Sequence, residues 1–87
     1  MDDLKAAMQE HISSTLVGFS LAGAYQANET TLIEAIEGAY SDAEKADATL
    51  NALNFTLSYI AAKEGLPEGE VITMLKEKTI GAGSRLA

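Results

Sequence analysis

Apolar residues recur at helical spacing along most of the chain. Leu4, Met8, Ile12, Leu16, Phe19 and Gly23 fall every three to four positions, the period of one helix face. Val17, Leu21 and Tyr25 form a second stripe on the same segment, so its later half is apolar on more than one side. A helix is predicted from about Asp3 to Tyr25, with Asp2 and Asp3 at its positive N-terminal end. Gly18 inside it costs about 1 kcal/mol against alanine. Ser14, Gly18 and Ala22 are small residues at spacing four, a pattern that permits close approach by another helix.

Gln26–Glu29 reads as a connection. Asn28 can cap the second helix, and Thr31-Leu32-Ile33-Glu34 also fits a capping box, so that helix has two possible starts a turn apart. Leu32, Ile33, Ile36 and Tyr40 make its apolar face, Glu34 and Glu37 face water, and it ends near Tyr40. Ser41-Asp42-Ala43-Glu44 is a better capping box, in which the Ser41 hydroxyl and the Glu44 carboxylate serve each other's backbone N–H groups. The third helix runs from there to about Glu64. It too has two stripes: Ala46, Leu50, Leu53, Leu57 and Ile60, then Ala48, Ala52, Phe55, Tyr59 and Ala62. Gly65 suits a left-handed helix end, and Pro67 suits the first turn of a fourth helix, whose face is Val71, Ile72, Leu75 and Thr79. From Gly81 the chain reads as a flexible tail, 81–87.

Two of these helices are long, about 22 residues or roughly 33 Å each. The other two are short and one-sided, too small to cover both faces of a long pair. The sequence therefore predicts an all-α, four-helix domain over residues 1–80, two helices long and two short, that completes its core by dimerisation. The stripe of Val17, Leu21, Tyr25, Phe55 and Tyr59 is the expected interface, since apolar area of that extent on a small protein marks a contact surface.

The 87-residue length fits one domain. A chain this size buries only about 60–65% of its unfolded surface. With no cysteine, neither a disulfide nor a thiolate metal centre can add stability, which leaves self-association. Thirteen acidic residues against six basic ones give a net charge of −7. That disfavours nucleic acid and anionic membrane surfaces. Ile12–Asn28 is uncharged but shorter than the roughly 20 residues of a spanning helix. The N-terminal residues lack the basic region of a signal peptide, so the expected location is cytoplasmic.

Candidate chemistry is sparse. His11 is the single histidine, and Ala7 and Thr15 stand at spacing four from it, where a second metal ligand would be needed. Glu34 and Glu37 lie one turn apart but among polar positions, whereas catalytic carboxylate pairs need burial to split their pKa values. Ser13 and Ser14 lack an acid–base relay. No catalytic residue, cofactor, metal or small-molecule substrate is expected. Ile60-Ala61, Gly65-Leu66, Val71 and Met74 have the spacing of a helix-turn-helix. The helix that would enter DNA begins Pro67-Glu68-Gly69-Glu70, however, and its acids would be repelled by phosphate. That spacing is read as a helix–helix corner.

The function these features predict is a protein–protein interaction module (an adaptor, regulator or inhibitor) that is not an enzyme. Two alternatives stand beside it. An acidic decoy mimicking DNA would need carboxylates spaced along one surface. A helix-turn-helix-like regulator would need DNA to tolerate the acids of the fourth helix.

Overall fold

Four helices follow one another in the computed structural model, which describes residues 2–86 and the side chains of residues 2–84. They are α1 (Asp2–Gln26), α2 (Thr30–Ala39), α3 (Asp42–Glu64) and α4 (Glu68–Leu86), and no strand occurs among the described residues. The fold is all-α, as the periodicity predicts.

Each boundary has a local cause. α1 closes on Asn28, whose φ of 55° is left-handed. The Glu29 N–H donates to the Ala24 carbonyl at 2.9 Å and the Asn28 N–H to Tyr25 at 3.2 Å, which together make a Schellman close. Asn28 therefore ends α1 and does not cap α2. The residue before α2 is Glu29, with no side-chain cap, so neither predicted start of that helix is the observed one. The capping box at α3 forms as predicted. The Ser41 N–H donates to Glu44 Oε1 at 2.9 Å, and the Glu44 N–H donates to Ser41 Oγ at 3.2 Å. α3 ends on Gly65, also left-handed at φ 67°, and the Leu66 N–H donates back to the Ala61 carbonyl.

α4 departs from expectation. It spans 19 residues and is not short. Gly81 and Gly83 lie within it without left-handed backbone angles, so they do not break the helix where a tail was expected to begin. Of that expected tail, Ala87 lies outside the described residues.

The chain divides into two compact units, Met1–Phe55 and Thr56–Ala87, and α3 contributes to both. In the first, α1 packs against α2 and against the N-terminal part of α3. Its buried side chains are small: Thr15, Ala24, Ala48 and Ala52, with Gly18 among them. In the second, Leu57 and Ala61 of α3 enclose Val71 of α4, with Ile60 packed against them. This is the helix–helix corner that the sequence predicts. The Ser58 hydroxyl adds a hydrogen bond to the Glu68 carboxylate across it.

Candidate functional site

The α1–α3 contact of the first unit explains the surface that surrounds it. A Cβ built on Gly18 would lie 2.1 Å from the carbonyl oxygen of Ala48 and 2.8 Å from the Ala52 Cβ. Helix backbone therefore meets helix backbone at this point, and only small residues fit. Beside it, Asn51 Nδ2 donates to Ser14 Oγ at 3.0 Å. The Thr15 hydroxyl, buried on the flank, donates to the His11 carbonyl at 2.8 Å, so its burial leaves no polar group unmet.

The buried positions of α1 are small, Val17 and Leu21 are half-buried, and most of its other large apolar side chains face out. Leu4, Met8, Ile12, Leu16 and Phe19 are between 41% and 66% exposed, and together they form one continuous stripe along α1. Phe55 extends it. Its ring meets the Phe19 ring edge to face, with centroids 5.9 Å apart, and both rings stay exposed. An apolar stripe of this length on so small a protein has the extent expected of a contact surface.

The residues expected at that seam are distributed differently. Val17 and Leu21 are half-buried, and Val17 lines a cleft beside Ala48. Tyr25 is exposed, and its hydroxyl donates to the Glu37 carboxylate of α2. That bond, with the carboxylate charge behind it, holds the Tyr25 pKa above the ordinary tyrosine value. Phe55 is exposed within the stripe. Tyr59 lies in the second unit, exposed, with the Lys63 ammonium 5.9 Å from its ring centroid. Sequence reasoning missed the stripe from Leu4 to Phe19 as the outward one. The signal that marks it is the adjoining face, where Ser14 and Gly18 leave room for a helix but not for large side chains.

The cleft at Val17 has a volume of about 530 Å³ and lies between Ala6, Gln9, Glu10 and Ser13 on one side and Tyr40, Glu44 and Asp47 on the other. Three of its side chains are acidic. Glu44 is already engaged by the Ser41 backbone N–H and hydroxyl, which hold its carboxyl below the usual range. Among the described residues no group of three or more His, Cys, Asp or Glu side chains could hold a metal ion. His11 is exposed on α1. No helix among them is long and apolar enough to cross a membrane.

Comparison of the chain with protein families, with curated proteins and with solved structures finds no match.

Proposed function

We propose that this chain is a small acidic protein–protein interaction module that acts in the cytoplasm as an adaptor, regulator or inhibitor, by association and not by catalysis, and that it self-associates as a homodimer. The observation that supports this reading is the inversion of α1. Its buried positions are Thr15, Gly18 and Ala24, with Val17 and Leu21 half-buried, while the larger set of Leu4, Met8, Ile12, Leu16 and Phe19 stands in solvent. Alanine and glycine at a helix contact remove little apolar area from water, whereas a buried leucine or phenylalanine contributes about 1.5–3 kcal/mol. Most of the stabilisation this sequence could draw from α1 is therefore realised only when another surface covers the stripe.

The carboxylates fit this reading better than mimicry of DNA. Asp2 and Asp3, Asp42 and Glu44, and Glu68 and Glu70 occupy first turns of α1, α3 and α4, where the helix dipole already accounts for them. The same acids at the start of α4 argue against a DNA-reading helix.

Sedimentation across a wide concentration range, paired with fluorescence of an apolar dye, tests the reading. A dimer is the expected result, and a monomer whose stripe binds the dye refutes the homodimer while leaving an uncovered apolar surface. A strict monomer that binds no dye has no accessible apolar surface, and that result refutes it.

A further inference from the structure

We infer that the outward stripe of α1 is covered by the same stripe of a second copy, laid antiparallel about a two-fold axis near Ile12. This rests on the association reading above and extends it by naming the occupant, the face and the direction. Three observations carry it.

The first is the smallness of the interior. With Thr15, Gly18, Ala24, Ala48 and Ala52 as the packed positions of the first unit, the cover of Leu4–Phe19 is part of what makes the fold stable. A surface needed for folding must be present whenever the chain is, and another copy of the chain always is.

The second is area. At about 150–200 Å² for each large side chain, the five stripe residues and Phe55 offer roughly 600 Å². A stable interface takes about 800 Å² from each partner. The stripe and Phe55 together supply most of that.

The third is charge. Every charged side chain of α1 lies in its first half, at Asp2, Asp3, Lys5 and Glu10, and Ile12 to Gln26 carries none. Parallel pairing would set two net-negative ends side by side. Antiparallel pairing lays each charged half along the partner's uncharged half and opposes the two helix dipoles. An axis near Ile12 pairs Met8 with Leu16 and brings Leu4 to Ser20, so one patch is complementary to itself. The stripe repeats at slightly more than 3.6 residues, which sets two such helices at a right-handed crossing.

The chain has no cysteine, so single cysteines report the geometry directly. Full-length Ile12→Cys, Leu4→Cys and the double variant Leu4→Cys/Ser20→Cys are equilibrated in a glutathione redox buffer and separated under non-reducing conditions. Unchanged circular dichroism verifies that each is folded. Ile12→Cys is expected to link nearly completely, Leu4→Cys alone several-fold less, and the double variant to regain full linkage. Leu4→Cys linking as fully as Ile12→Cys would mean parallel helices and overturns the inference. Wild-type protein sedimenting as a dimer while no variant links places the interface on another face, which also overturns it but leaves the association reading intact. A wild-type monomer at high micromolar concentration overturns it too, and dye binding by that monomer decides whether the broader reading falls with it.

Discussion

Gly18 lies so close to Ala48 that the missing Cβ would sit 2.1 Å from the Ala48 carbonyl oxygen. No flexible side chain is there to yield, because the opposing atoms are the Ala48 backbone and the Ala52 Cβ. Gly18→Ala gains about 1 kcal/mol of helix propensity. Against that stands an overpacking cost of about 1–3 kcal/mol, since α1 and α3 must move apart. Net destabilisation is expected in urea unfolding. Gly23→Ala is the matched control: no atom lies within 4 Å of its Cβ, so it should stabilise by up to about 1 kcal/mol. Equal effects at the two positions would show that the close approach is not formed.

The Ser41–Glu44 capping box makes a prediction in pH. The Ser41 backbone N–H first, and its hydroxyl second, hold the Glu44 carboxyl below its usual value. A carboxylate with a depressed folded pKa contributes stability above its unfolded pKa and loses it as pH falls through the folded pKa. Wild-type protein should therefore lose more stability on acidification than Glu44→Gln, and the two curves should converge at low pH. Ser41→Ala should cost about 1 kcal/mol at neutral pH, read from the urea midpoint.

The helices, and the caps at Ser41 and Gly65, are legible in the sequence because they depend on neighbours in the chain. The box at Ser41 and the break at Gly65 need only local residues, and both appear where the pattern puts them. The faces of α1 are less legible because both its stripes are apolar, and periodicity cannot rank them. What decides is which face another backbone can approach. Ser14 and Gly18 carry that information, and their spacing marks the inward face once it is weighed above side-chain size. Asn28 reads in the sequence as a cap of α2, whereas its positive φ makes it the close of α1. Glycines at 81 and 83 read as a stop because each costs helix about 1 kcal/mol, yet a helix already running through Ile80 can absorb that cost without ending.

Tyr25 and Glu37 tie α1 to α2 and should be visible in a tyrosine titration. The hydrogen bond to the carboxylate, then partial desolvation and the carboxylate charge, raise the Tyr25 pKa. A raised folded pKa means stability present below the ordinary tyrosine value and lost as pH rises through the folded one. Alkaline difference absorbance should show Tyr25 ionising above the ordinary tyrosine value. Glu37→Gln should return it to the ordinary range, and Tyr25→Phe should remove the late phase. A late phase that persists in Glu37→Gln would assign it to another tyrosine.

Asn28 occupies a backbone region that glycine enters without steric cost. With φ at 55°, the Schellman bonds Glu29 to Ala24 and Asn28 to Tyr25 are made by backbone atoms and remain available to glycine. Asn28→Gly should keep the close and stabilise or leave stability within about 0.5 kcal/mol, while Asn28→Ala should cost about 1 kcal/mol for the left-handed conformation. Thermal melts of the pair give the order directly, and alanine equal to glycine would mean the turn is not left-handed in solution.

Val71 is the largest of the described side chains with no exposed surface, and it centres the contact among Leu57, Ala61 and Ile60. Val71→Ala leaves a cavity between α3 and α4 that two helices cannot easily close, and should cost about 2 kcal/mol. On the same helix Ile80 is 70% exposed, so Ile80→Ala should change stability by no more than about 0.5 kcal/mol. The comparison holds helix and residue class nearly constant and varies burial. If urea midpoints fall equally for both, the cluster around Val71 does not hold α4 in place, and Ile80 is covered in solution by a surface that the single chain does not provide.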